Sequence, residues 1–120
     1  MKGILILAHG SREKSTQETL AEIISMLKED MKDCLIETAY LQFNEINLEA
    51  GLNKLVEQGA EDIKVIPYFL FDGIHIREDI PSEIEAYLAD KKGIKITMGK
   101  TLGADRRLSL ILADRVREAL

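Results

Sequence analysis

The sequence predicts an α/β fold: a four-stranded parallel sheet with helices on both faces, built from flavodoxin-like βα repeats. Three observations predict it. Short apolar runs alternate with amphipathic stretches four times in 120 residues. The first and third runs are almost wholly apolar, as strands buried on both faces are. Each intervening stretch is long enough for the helical crossover that a parallel pair needs, and right-handed crossovers place helices on the two faces.

The elements follow in order. Residues 3–8 form the first strand and residues 15–31 the first helix, with Leu20, Ile23, Ile24, Leu27 and Met31 on one face. Ser15 and Glu18 have the spacing of a capping box at its start. The second strand spans residues 35–41 and the second helix residues 45–58, with Leu48, Leu52, Leu55 and Val56 inward. Gly59 stands where a left-handed helix cap is wanted. Gly51 inside the helix costs about 1 kcal/mol relative to alanine, so it marks a close contact. The third strand, residues 62–70, is the most hydrophobic segment and is expected to be central. Pro67 removes a ladder donor and marks where that strand bends or stops pairing. The third helix starts near residues 79–81, with proline at its first position, and turns Ile84, Tyr87 and Leu88 inward. Residues 94–98 form the fourth strand after a turn at Gly93. Residues 105–120 form the fourth helix, with Leu108, Ile111, Leu112 and Val116 on one face.

The length fits one domain, residues 1–120, with a real core. A net charge of -5 argues against a general nucleic-acid partner, although Arg12, Lys14, Arg77, Arg106 and Arg107 are available for a local basic patch. The single cysteine, Cys34, excludes an internal disulfide and a Cys-rich zinc site, and reads as a small apolar residue at a strand start. No segment approaches the roughly 20 apolar residues of a membrane span. The first apolar run is too short for a signal peptide. The expected location is the cytoplasm, with neither membrane nor nucleic acid as partner.

In such a sheet, ligands bind beyond the carboxyl ends of the strands. The loops on that edge are residues 9–14, 42–47, 71–79 and 99–104. Both histidines of the chain, His9 and His75, lie there just past strand ends. Arg12, Gln42, Glu45, Asp72, Arg77, Glu78 and Asp79 lie in the same loops. Converging ionisable groups make this edge the candidate site.

Several chemistries are excluded. The chain carries no phosphate-binding GxxxxGK[ST], no dinucleotide GxGxxG and no GxSxG elbow. A phosphoacceptor switch wants carboxylates where His9 stands. Gly10, Ser11, Ser15 and Thr16 offer a phosphate cradle at a helix start, which keeps a flavodoxin-like phosphate-binding module open as a third reading, although no tryptophan is present and no loop aromatic flanks that segment to sandwich a flavin. A histidine phosphatase has arginine before its His-Gly, and here Ala8 precedes it. A metal needs fewer assumptions. Neutral imidazole suits Co²⁺, Ni²⁺, Fe²⁺ and Zn²⁺. Two histidines leave coordination positions open, as suits a metal held in passing.

The chain resembles the small, single-domain sirohydrochlorin chelatases of the class II, ferrochelatase-like group (the CbiX type). The resemblance spans nearly the whole sequence. It rests on Ala8-His9-Gly10-Ser11-Arg12, Leu41-Gln42-Phe43-Asn44-Glu45, Gly59-Ala60 and Ile66-Pro67-Tyr68-Phe69-Leu70, then Gly73-Ile74-His75, Asp79-Ile80-Pro81 and Leu102-Gly103-Ala104-Asp105. It accounts for Pro67, which belongs to the family pattern. It implies a chelatase-like fold and insertion of a divalent metal, cobalt first, into the octacarboxylate tetrapyrrole sirohydrochlorin. Nickel or iron fits the same residues, and no organic cofactor is implied. It also implies His9 and His75 as metal ligands, with His9 as the catalytic proton acceptor. Glu45, Leu70, Phe71, Asp72, Gly73 and Ile74 are implied as substrate contacts. Arg12, and with it Arg77, is suited to pair with peripheral carboxylates.

Two positions depart from the family pattern. Gln42 stands where a glutamate is usual and cannot act as a base, so Glu45 or a histidine must take its protons. Ile46 replaces a usual proline, which changes local loop shape. Gln42 is also the one feature that favours a rival reading, a non-catalytic metal or tetrapyrrole carrier. Longer chelatases of the group contain two similar halves. A chain of one half's length is therefore expected to be a homodimer with the tetrapyrrole between subunits.

Overall fold

The computed structural model describes every residue of the chain, apart from the side chains of His75 and Ile76. Strands β1 (Lys2–Ala8), β2 (Leu35–Tyr40), β3 (Asp62–Pro67) and β4 (Lys95–Met98) alternate with helices α1 (Lys14–Asp30), α2 (Leu48–Glu57), α3 (Ile80–Leu88) and α4 (Arg106–Ala119). A π-helical turn, His75–Asp79, leads into α3. The strands form one parallel sheet in the order β2-β1-β3-β4. The chain thus steps outward from β1 to β2 and then crosses to β3 on the other side. That reversal puts the crevice of a doubly wound sheet between the carboxyl ends of β1 and β3.

Side chains alternate about the strands and build a core on each face. Leu5, Leu7, Ile63, Val65 and Ile96 meet Leu48, Leu52 and Leu55 of α2 and Ile80, Ile84 and Tyr87 of α3. On the opposite face, Ile6, Ala8, Ile36 and Tyr40 meet Leu20 and Ile24 of α1. Gly51 fulfils its expectation: a Cβ there would stand 2.7 Å from Leu5 and 2.9 Å from Ala39. Only a bare backbone lets α2 lie this close to the sheet. Gly59, at φ 101°, is the left-handed cap that the sequence asked for.

Local chemistry corrects several boundaries. Helix α1 begins at Lys14 without the Ser15–Glu18 capping box; its cap is Glu13, whose side chain makes no capping bond. Instead the Ser11 hydroxyl accepts from the Glu13 amide at 3.0 Å and shapes the turn before the helix. Helix α2 begins three residues later than expected. Asn47 caps it, accepting from the Ala50 amide at 2.9 Å, while Asn44 accepts from the Ile46 amide at 2.8 Å and holds a turn. Strand β3 stops at Pro67, as a residue without an amide donor should. Ile23 and Met31, expected inward, are exposed at the edges of the α1 stripe.

Helix α4 departs most from the sequence reading. None of its side chains is buried. Where a fourth helix would cover β3 and β4 on the α1 face, the sheet presents Asp62, Lys64, Lys95 and Thr97. Lys64 pairs with Asp62 at 3.1 Å and donates to the Thr97 hydroxyl at 3.0 Å. A polar surface of this kind rewards no apolar helix, so α4 projects outward. Helices α1 on one face and α2 and α3 on the other still sandwich the sheet.

Candidate functional site

The register fixes the site. Ala8 pairs with Tyr40, and Leu7 pairs with both Ala39 and Pro67, so β1, β2 and β3 end level. Two backbone bonds extend this level past the strands: the Leu41 amide donates to the Ala8 carbonyl at 2.9 Å, and the Tyr68 amide to the Leu7 carbonyl at 2.7 Å. The first free position after β1 is His9, directly at the switch point. Its ring lies 4.3 Å from the Phe69 ring at an interplanar angle of 50°. Phe69 is buried and His9 is exposed. The phenyl ring therefore supports one side of the imidazole, and the other side remains accessible.

Gly10 determines how the chain leaves that position. Its φ is 88°, and a Cβ there would fall 1.9 Å from the Gln42 carbonyl oxygen. Glycine therefore lets the loops after β1 and β2 approach each other, and the Gln42 amide donates to the His9 carbonyl at 3.0 Å. In the second loop Phe43 adopts a left-handed φ of 59°, a conformation that costs an L-residue roughly 1–2 kcal/mol. This turn sets the Phe43 ring under the Arg12 guanidinium, 4.6 Å from the ring centroid. The stacking returns about 0.5–1 kcal/mol at an exposed site. It also holds a cation at the mouth of the crevice, on the His9 side.

His9 stands on a ridge between two hollows. One, about 460 Å³, is lined by His9, Leu41, Tyr68, Phe69, Leu70, Phe71 and Gly73 and is mostly apolar. The other, about 400 Å³, runs back along α1 and is lined by Ser15, Thr16, Thr19, Tyr40 and Tyr68 as well as His9. Burial pushes the Tyr40 phenol up from its ordinary value, so it is a proton donor at neutral pH. The first hollow offers a flat ring an apolar floor, and the second offers hydroxyls to water or to a hydrated ion.

The expected site residues are brought together unevenly. His9, Leu70, Phe71 and Gly73 share the apolar hollow. Asp72 lies with Leu70 and Phe71 along a second groove toward α4. Arg12 rests on Phe43, while Glu45 and Ile74 are exposed on the neighbouring loops. The side chain of His75, expected as a metal ligand, lies outside what the structure describes. Among the described residues, no three His, Cys, Asp or Glu side chains gather as a metal-binding group. Sequence reasoning missed Leu41 as a wall of the hollow and Phe43 as the rest for Arg12. Their signal was position, since both follow the end of β2 at the level of His9. Among the described residues, no helix is long and apolar enough to cross a membrane.

Known proteins share this arrangement. A sirohydrochlorin cobaltochelatase of Sulfurisphaera tokodaii is 32% identical over 120 residues, covering 100% of this chain and 95% of its own. A sirohydrochlorin ferrochelatase of Bacillus subtilis is 30% identical over 117 residues, and this chain spans only 45% of its length. The sirohydrochlorin chelatase SirB from Bacillus subtilis subspecies spizizenii, solved in complex with cobalt, superposes with a TM-score of 0.89 at 31% identity, over 98% of this chain and 50% of that one. A family model described as CbiX matches residues 3–119, and the chain belongs to that family.

Proposed function

We propose that this chain is a sirohydrochlorin chelatase that inserts a divalent metal, cobalt first, into the tetrapyrrole. Insertion has three requirements: a flat apolar seat for the macrocycle, a donor that holds the metal weakly over it, and an acceptor for the two pyrrole protons. The observation that carries the reading is His9, exposed at the β1–β3 switch point on the rim of an apolar hollow. Its imidazole binds a borderline metal ion or accepts a proton near neutral pH, though one nitrogen cannot do both at once. The order is therefore metal on His9 and His75, docking of the ring, departure of the first proton, then transfer of the metal to four pyrrole nitrogens as the second proton leaves.

Leu70, Phe71, Gly73 and Ile74 contact the ring, and Asp72 and Glu45 lie at its margin. Phe69 holds His9 from behind. Arg12, stacked on Phe43, meets a peripheral carboxylate, and two parallel N–H···O bonds orient the ring. Gln42 supplies an amide and no base, so Glu45 takes the first proton while His9 holds the metal, and His9 takes the second once the metal has passed to the ring. Cobalt leads because a full-length relative of equal size carries that name, while iron is the metal named for the longer Bacillus relative. A homodimer supplies the second wall of the cleft.

The test is the visible absorption of anaerobic sirohydrochlorin with Co²⁺, with and without protein, beside His9→Ala. Fast conversion to the metallated spectrum with wild type alone is expected, and repeats with Ni²⁺ and Fe²⁺ rank the metals. A rate equal to the protein-free reaction with all three ions would sink the catalytic reading and leave a carrier.

A further inference from the structure

We infer that the hollow between His9 and α1 is an oxyanion pocket that takes one peripheral carboxylate of the bound tetrapyrrole, with the Tyr40 hydroxyl as its deepest donor. This rests on the chelatase reading above and adds a subsite on the far side of His9 from the macrocycle seat.

The hollow holds about 400 Å³ and joins the ends of β1 and β2 to the first turns of α1. Its polar lining is His9, Ser15, Thr16 and Thr19 with the phenols of Tyr40 and Tyr68. Thr19 donates to the Ser15 carbonyl at 3.0 Å, so its proton is already engaged. The hydroxyls of Ser15, Thr16, Tyr40 and Tyr68 have no hydrogen-bond partner among the described residues. Tyr40 decides the matter. Only 9% of it is exposed, so a donor more than nine-tenths buried opens on this hollow with nothing to receive its proton. Buried polar groups are as a rule paired. A ligand oxygen in the hollow would supply the missing acceptor.

Three features set the sign of that ligand. Helix α1 starts here without a side-chain cap, and the amides of Lys14 and Ser15 have no acceptor among the described residues. The positive end of the helix favours an anion. Its first turn holds no acidic residue, although aspartate and glutamate are favoured there. No carboxylate lines the hollow, whereas a site for a hard cation is built from oxygen ligands of that kind. Burial keeps the Tyr40 phenol protonated and therefore donating. Place then selects the source. His9 and Tyr68 line both this hollow and the apolar one, so a ring seated against Leu70 and Phe71 has its edge at the ridge between them. An octacarboxylate ring presents carboxylates all round that edge. Arg12 takes one on the Phe43 side, and this pocket takes another on the α1 side. Two anchors fix the rotation of the ring in its own plane and bring the pyrrole nitrogens to His9.

The experiment is a visible-absorption titration of the full chain with metal-free sirohydrochlorin, with and without inorganic phosphate. Wild type is compared with Tyr40→Phe and with the double variant Ser15→Ala/Thr16→Val. Tyr40→Phe removes one oxygen that bonds to nothing in the free protein, so the fold should stand. The double variant alters exposed residues of the same pocket and decides if Tyr40→Phe fails to fold. The dissociation constant for sirohydrochlorin is expected to rise about tenfold or more in Tyr40→Phe. Phosphate should compete with sirohydrochlorin in wild type and compete less in the variant. In the metallation assay the KM for sirohydrochlorin should rise while the KM for Co²⁺ stays. Unchanged sirohydrochlorin affinity in both variants overturns the inference. Phosphate binding that Tyr40→Phe abolishes, with sirohydrochlorin affinity intact, also overturns it and assigns the pocket to a free anion. A raised KM for Co²⁺ alone overturns it in favour of a path for the metal. Each of these results leaves the chelatase reading standing; wild type that neither binds nor metallates sirohydrochlorin overturns both.

Discussion

Gly10→Ala places one methyl group at the tightest backbone approach in the site. Gly10 sits at φ 88°, and the new Cβ would lie 1.9 Å from the Gln42 carbonyl oxygen, 3.0 Å from its carbon and 3.2 Å from the Tyr40 Cβ. The obstacle is backbone, so no rotamer change relieves it. Two costs add. Holding an L-residue at this φ costs about 1–2 kcal/mol. Parting the two loops stretches or breaks the bond from the Gln42 amide to the His9 carbonyl, 3.0 Å long in the native protein, for roughly a further 0.5–1.5 kcal/mol. The expected destabilisation is therefore about 1.5–3.5 kcal/mol, which lowers the urea midpoint by about 1–2 M at the slope usual for a domain of this size. The moved carbonyl belongs to His9, so metallation should fall more than stability alone explains, when assayed well below the unfolding midpoint. Gly73→Ala is the control: nothing lies within 4 Å of its added Cβ and its φ is ordinary. It should be neutral or slightly stabilising, by up to about 1 kcal/mol. A Gly10→Ala midpoint within error of wild type would refute the claim that this contact sets the loop geometry.

Three other perturbations separate the roles of the site from those of the scaffold. His9→Ala should cut the metallation rate by about 10²–10⁴-fold while sirohydrochlorin still binds, seen as a spectral shift on titration; loss of binding with unchanged turnover per bound ligand would contradict the role. Gly51→Ala gains about 1 kcal/mol of helix propensity but drives a methyl to 2.7 Å from Leu5 and 2.9 Å from Ala39, so a net loss of about 1–2 kcal/mol in urea unfolding is expected. The pH response of α4 follows Asp105, which caps the helix through the Arg107 amide at 2.9 Å and pairs with its guanidinium at 2.7 Å. Hydrogen bonds from Arg107 hold that carboxyl well below the ordinary carboxylate range. A depressed folded-state value stabilises above the unfolded value and fades as pH falls through the folded one, so α4 helicity should be flat through neutral pH and decline only in strong acid. A helicity change by circular dichroism between pH 5 and 8 would count against this.

The sequence was sufficient wherever short-range chemistry decides. Four βα repeats, the sheet-facing residues of α2, the close contact at Gly51, the cap at Gly59 and the end of β3 at Pro67 all follow from periodicity and from what glycine and proline can do. The placement of His9 at a strand end was equally legible, because chain order alone puts it there. Helix starts were less so. Asn47 outcompeted Glu45 at the start of α2, and Ser11 shaped the turn that Ser15 was expected to cap, since several nearby side chains offer the same hydrogen bond and only the assembled loop chooses.

The tertiary structure decided what depends on which strands are neighbours. The order β2-β1-β3-β4 brought His9 against Phe69 and made one hollow from residues about sixty positions apart. It also decided the fate of α4. Its periodicity specified an apolar face but not the surface to receive it, and Lys64 and Thr97 sit on the sheet face that a helix would otherwise cover. A hydrophobic stripe records that something must cover it. Which surface does so is a property of shape and charge in three dimensions, and no stretch of sequence contains that by itself.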